Sequence, residues 1–189
     1  MRTQNVLDAP GVIDTILRLD VDQYHRLCAS GIVPEKTELL EGVIVEKMGK
    51  SPLHSWTVEF LAEWFRTHLK DGLHLRVEQP LTFARSEPEP DLAIVAGTRS
   101  DFRNRHPDSA MLVAEVAITT VAIDNAKATV YAAAGIPEFW LVLPEEKRVI
   151  VFRRPANDGY LVSESVDAAS SLPTALCRMP LRLTDVFTQ

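Results

Sequence analysis

The sequence predicts an α/β fold with a mixed central sheet flanked by helices, an N-terminal hairpin and C-terminal strand additions, in one domain over residues 1–189. Three observations carry this reading. Met111 to Ala117 (MLVAEVA) is apolar except for one glutamate, as suits a central strand covered on both faces. Ile123 to Ala134 then reads as a helix closed by Gly135, and Glu138 to Leu143 returns as a strand, so the chain alternates strand, helix, strand. Earlier, Ser51-Pro52 is a strong helix start, a capping hydroxyl followed by proline at the first helical position.

The other elements follow in chain order. Residues 1–18 form a weakly patterned entry segment. Asp20 caps a short helix that runs to about Ser30, with Gly31 after it. Leu39 to Met48 reads as two short strands around a Glu41-Gly42 turn. In the helix after Ser51, the residues Trp56, Phe60, Leu61, Trp64, Phe65 and Leu69 recur at helical spacing, and the Trp56/Phe60/Trp64 stripe is expected to be core. Asp71-Gly72 ends that helix, and His74 to Phe83 reads as a strand. Ser86 to Pro90 is acidic, proline-rich and therefore extended. Asp91 to Val95 is a short apolar strand opened by an acid, and Gly97 to Ser109 is a polar loop. Beyond the second helix, Arg148 to Arg153 and Tyr160 to Val166 are strands, and Leu183 to Phe187 is a short final helix.

Composition narrows the function classes. With 46% hydrophobic and 24% charged residues, the chain has the balance of a folded globular protein. Its net charge of −6 weighs against a simple nucleic-acid binder, which carries a basic footprint. Arg66, His68, Lys70, Arg99, Arg103, Arg105 and His106 are scattered along the chain and read as solvated surface. Cys28 and Cys177 have no metal-type spacing and are read as reduced thiols. The first residues carry no apolar signal core, and no apolar run is long enough to span a bilayer, so a cytoplasmic location is expected. The sequence has no Gly-rich phosphate loop, no recognisable Ser-His-Asp order and no Cys/His zinc pattern.

Three residues break the apolar pattern at a cost. Glu115 lies in the middle of MLVAEVA, where an isolated carboxylate must take up a proton or find a cation. By alternation it shares a face with Val113 and Ala117, while Asp91 shares one with Ala93 and Val95. If the two strands are neighbours, both carboxylates converge at one end of the sheet. Lys127 falls on a helical stripe with Ile123, Val130 and Ala134, where a lysine either snorkels to solvent or meets an acid. Two strand acids and a helix lysine suit metal-assisted phosphodiester hydrolysis. The carboxylates hold a hard divalent cation, Mg²⁺ or Mn²⁺, and the lysine orients the attacking water or stabilises phosphoryl charge. A plain structural bridge between Lys127 and Glu115 is the competing reading. Glu38 and His54 are secondary candidates: Glu38 could face the same site or be a turn acid, and His54 could reach a phosphate or merely cap its helix.

Several stretches resemble the Uma-two family of bacterial restriction-endonuclease-like domains. They are Glu38-Leu39-Leu40-Glu41-Gly42, Ser51-Pro52-Leu53-His54, Val77-Glu78-Gln79-Pro80-Leu81 and Glu87-Pro88-Glu89-Pro90-Asp91-Leu92. The likeness continues through Val113-Ala114-Glu115-Val116-Ala117, Asp124-Asn125-Ala126-Lys127 and Tyr131 to Trp140, covering roughly Leu19 to Val142. It implies a PD-(D/E)XK restriction endonuclease-like core with the motif acids on Asp91 and Glu115, and it adds Gln79 to the candidates. The usual lysine two residues after the glutamate is replaced by Ala117, and the resemblance implies that Lys127 has taken over its place. It further implies a Mg²⁺-dependent endonuclease whose partner is DNA, with a homodimer expected. A non-catalytic binding or assembly module that keeps the fold is the alternative.

Overall fold

In the computed structural model, which describes residue 6 and residues 9–119 and 121–188, six strands form one mixed sheet. They are β3 (Leu73–Val77), β4 (Leu92–Ala96), β5 (Leu112–Val116), β6 (Glu138–Leu143), β7 (Arg148–Ala156) and β8 (Gly159–Asp167), in that spatial order. Every neighbouring pair is antiparallel except β5 and β6, which run parallel with Glu115 opposite Leu141. A parallel pair needs a long crossover. Helix α3 (Val121–Ala133) supplies it. The mixed α/β architecture expected from the sequence is therefore present. Residues 1–5 and 7–8 of the entry segment, together with Thr120 and Gln189, lie outside the described residues.

Alternation along β4 and β5 sorts the core into two layers. Leu92, Ile94, Leu112, Ala114 and Val116 face helix α2 (Pro52–His68), which contributes Val58, Leu61, Ala62 and Phe65. Ala93, Val95, Val113 and Ala117 face α3, which contributes Ala128 and Tyr131. Near-continuous apolar strands are what a sheet covered on both sides requires. The short helix α4 (Leu183–Phe187) closes the α2 layer through Leu183 and Val186.

Outside the sheet, helix α1 (Val21–Ala29) begins at an Asp20 capping box completed by Gln23. Strands β1 (Thr37–Leu40) and β2 (Val43–Glu46) form the expected hairpin. Its turn places Glu41 and Gly42 at φ 49° and 80°, and a side chain at Gly42 would lie 2.8 Å from the Leu19 carbonyl oxygen. That close approach is why a glycine stands there. The hairpin docks by two backbone bonds between Leu39 and Glu87. The proline-rich stretch before β4 is therefore a clamp on the strand that carries Glu38.

The structure corrects four expectations. Strand β3 ends at Val77, not Phe83, because Glu78 turns to φ 51° and Pro80 has no N–H for a ladder. The loop after β4 contains a 3-10 turn, Arg99–Phe102. A small ladder, β9 (Ser171–Leu172) with β10 (Leu181–Arg182), joins the C-terminal region. The Trp56/Phe60/Trp64 stripe is not the core face of α2: Trp56 is 36% exposed and stacks on Phe60, while Thr57, Val58, Leu61, Ala62 and Phe65 are buried. Among the described residues no helix is long and apolar enough to cross a membrane.

Candidate active site

Antiparallel pairing of Leu92 with Ala114 carries the register one step further, so that Asp91, just before β4, stands beside Glu115. The Asp91 backbone N–H donates to Glu115 Oε2 at 3.2 Å, and Asp91 Oδ2 accepts from the Val116 N–H at 2.8 Å. Both side chains are buried at the end of the sheet. Because Asp91 lies outside the ladder, its carboxylate is also reached from the α2 side: His54 Nε2 lies 3.2 Å from Oδ2. Ser51 caps α2 through the His54 N–H and so fixes the turn that presents this ring. His54 Nδ1 is buried without a partner among the described residues. A proton placed on Nε2 would donate to Asp91 and leave only a lone pair unpaired at Nδ1.

From the other layer, α3 turns Lys127 onto the acids. Its Nζ lies 2.9 Å from Glu38 Oε1, 3.1 Å from Glu115 Oε1 and 3.8 Å from Asp124 Oδ1. Glu38 is held in turn by the Glu89 N–H, which donates to its Oε2 at 3.2 Å. Tyr131, one helical turn beyond Lys127, donates its hydroxyl to Glu115 Oε1 at 2.7 Å. Ala117, where the usual lysine would stand, is buried among the apolar residues facing α3. Lys127 approaches Glu115 from that same side.

Glu38, His54, Asp91, Glu115 and Lys127 thus line one cavity of about 450 Å³. Gln79 is not brought to it: the residue is exposed in the segment after β3. Ile123, which shares the helical stripe of Lys127, is 42% exposed and lines the cavity. Sequence reasoning missed Tyr131 and Asp124 as members of the cluster. Their spacing from Lys127, three residues before and four after, places all of them on one helical face and was the available signal.

The electrostatics follow from crowding. Three carboxylates, those of Glu38, Glu115 and Asp124, surround one ammonium, and Asp91 lies beside Glu115. Burial is the largest influence on Glu115. With Asp91, Asp124 and Glu38 beside it, burial outweighs Lys127 and pushes the carboxyl from 4.5 to about 8. Burial works against charge on Lys127 too, but Glu115 and Glu38 overcome it and hold the ammonium charged well above its ordinary range. Burial and the Glu115 carboxylate keep the Tyr131 phenol protonated. The cluster therefore has more acid than its lysine neutralises, and a proton or a further cation must make up the difference.

Hard oxygen donors in such surplus fit Mg²⁺ or Mn²⁺. Mg²⁺ is ordinarily held by one or two carboxylates and several waters, so no full protein cage is needed. Among the described residues, no group of three or more His, Cys, Asp or Glu is arranged as a metal cage.

A stability effect follows from the Glu115 shift. A carboxyl raised on folding contributes fully below its unfolded value, and the contribution is lost as pH rises through the folded one. Metal-free protein should therefore lose stability between about pH 4.5 and about pH 8 relative to Glu115→Gln. Burial depresses His74 and His106, which gives an opposite slope at the acid end, and this cancels in the comparison. Parallel melting curves of the two proteins across this window in EDTA would refute the assignment.

Residues 21–179 match the family described as "Putative restriction endonuclease", Uma2. No curated protein matches the chain. A crystal structure from Anabaena variabilis, titled as a putative nuclease belonging to DUF820, superposes with a TM-score of 0.76 at 18% identity, covering 90% of this chain and 98% of its own. That likeness supports the fold. With most of its length matched, the chain belongs to the Uma2 family, the one first suggested by the stretches around Glu38, Asp91, Glu115 and Lys127.

Proposed function

We propose that the protein is a divalent-metal-dependent endonuclease that hydrolyses phosphodiester bonds of DNA. The observation that carries this reading is the meeting of Glu38, Asp91, Glu115 and Lys127 in one cavity with unneutralised negative charge. Membership of the family described as "Putative restriction endonuclease" supports it.

Asp91 and Glu115 would hold the metal. When bound, Mg²⁺ neutralises phosphate charge and lowers the pKa of a coordinated water. The protein's own groups do the rest. His54 and the Val116 N–H fix Asp91 Oδ2. Tyr131 fixes Glu115 Oε1. Lys127 has three N–H donors, and Glu38 and Glu115 lie within hydrogen-bond reach of it. The remaining donor, with Asp124 Oδ1 at 3.8 Å, would turn to the attacking water or a phosphoryl oxygen. Glu38 on β1 and Glu115 on β5 both engage the amine and so limit where that donor points.

The test has two readouts. Mg²⁺ or Mn²⁺ should raise the melting temperature. At a hundredfold excess over Kd the stabilisation is about 2.7 kcal/mol, a shift of several degrees. Asp91→Asn with Glu115→Gln should abolish the rise and also the nicking of supercoiled plasmid in Mn²⁺. An equal rise in the double variant places the metal elsewhere. Highly purified wild type that never cuts under any metal leaves the fold as a binding or assembly module.

A further inference from the structure

Resting on the nuclease reading, we propose that the open end of the β1–β2 hairpin is the clamp that holds the DNA backbone beside the cavity, with Lys36 and Lys47 seating a phosphate next to the one being cut and Lys50 assisting. The need for a clamp is electrostatic. Among the described residues, six carboxyl groups and four lysines line the cavity. One of the four, Lys127, is buried among the acids. A polyanion approaching that surplus of acid is repelled unless cations meet it at the rim. Lys36, Lys47 and Lys50 are cations placed there: Lys36 and Lys50 are exposed, and Lys47 is half-buried.

The ladder supplies the geometry. Thr37 pairs with Glu46, and the Lys47 N–H donates to the Lys36 carbonyl at 2.9 Å. The antiparallel register thus runs one step further and sets the two lysines opposite each other. Like charges directly opposite in a ladder are destabilising. Lys47 Nζ lies 2.7 Å from Glu89 Oε1, but Lys36 has no ion pair among the described residues, so the pair carries one cation more than its acid neutralises. An anion bridging both lysines removes the repulsion. Alternation puts Lys36 on the same face as Glu38, whose carboxylate holds Lys127, and two residues along a strand rise about 6.8 Å. Phosphates of one DNA strand recur about every 3.4 Å of helix axis. A strand with one phosphate at the cluster therefore carries a neighbour past the lysine pair. Lys50 stands on the loop that leads from the hairpin into α2 and is paired with Glu78, both 40% exposed. An ion pair so exposed is worth little, and a phosphate can replace its carboxylate at small cost.

The experiment measures binding of a labelled DNA duplex to the full chain in Ca²⁺ across a salt series, beside steady-state nicking of supercoiled plasmid in Mn²⁺. Lys36→Gln with Lys47→Gln should lower the slope of log K against log salt by about 0.9 for each lysine, and weaken binding by roughly ten- to a hundredfold at about 0.1 M salt. In nicking, KM should rise by the same order while kcat falls less, as expected of groups that hold the backbone and not the reacting atoms. The melting temperature of Lys36→Gln alone should not fall, since the change removes a like-charge contact. Lys70→Gln is the control, and its slope should match that of wild type. An unchanged slope in the Lys36/Lys47 variant overturns the clamp and leaves the nuclease reading intact. An equal loss of slope in Lys70→Gln overturns it too, as does failure of wild type to bind the duplex. A protein that shows the expected loss of slope but never nicks keeps the clamp and refutes the nuclease reading.

Discussion

Lys127→Met should destabilise the metal-free protein by about 3–5 kcal/mol and lower nuclease activity by about a hundred- to a thousandfold. Methionine keeps the unbranched stem, so the loss isolates the charge. With the ammonium gone, Glu38 and Glu115 lose the cation at 2.9 and 3.1 Å, and both stay buried. Glu115 can respond by taking up a proton, since burial already raises its carboxyl above the ordinary range. The cost should therefore be smaller in mild acid and larger in alkali. Mg²⁺ should restore more stability to the variant than it adds to wild type, because it fills a larger charge deficit. Lys70→Ala is the control: Lys70 is exposed, with its Nζ on the Ala175 carbonyl, and its loss should leave both readouts unchanged. Urea unfolding of Lys127→Met indistinguishable from wild type would refute the account. From the sequence alone, Lys127 reads either as a residue of the chemistry or as a plain structural bridge to Glu115. Its burial among three acids makes it structural as well as a candidate for chemistry.

Phe65→Ala should cost about 3–5 kcal/mol, whereas Trp64→Ala should cost about 1–2 kcal/mol. Phe65 is fully buried between α2 and the sheet, its ring 5.7 Å from that of Trp140. The cavity left by its removal is walled by strands that cannot close on it. Trp64 sits on the flank of the helix, edge-on to Phe65 and stacked on His68, where solvent can replace part of the lost contact. Chemical denaturation of the two variants compares them directly. A larger loss for Trp64 would mean that the buried face of α2 is wrongly placed.

These particulars show what the sequence could carry. Strands such as Leu112–Val116 were legible because a sheet covered on both sides admits almost no polar residue. Asp91, Glu115 and Lys127 stood out for the same reason, as charges in an apolar setting. Tyr131 did not, because a tyrosine on the apolar face of a helix looks like core until its hydroxyl finds an acid. Asp124 reads as an ordinary acid of a helix's first turn. The aromatic residues of α2 misled in the other direction: size suggested burial, yet Trp56 points away from the sheet. A two-residue ladder such as β9 with β10 has no periodicity to detect. Gln79 entered through the resemblance alone, with no physical argument of its own.

The parallel pairing of β5 with β6 also bears on how the protein is made. The helix bearing Lys127 crosses over the sheet between those strands, and it cannot settle until β6 has been synthesised and has paired beside β5. Glu38, by contrast, leaves the ribosome early. A chain still in translation, or one cut short before β6, has its acids but no docked lysine. Cleavage competence should then arrive late in synthesis, and truncated products should be harmless to the nucleic acid of the cell that makes them.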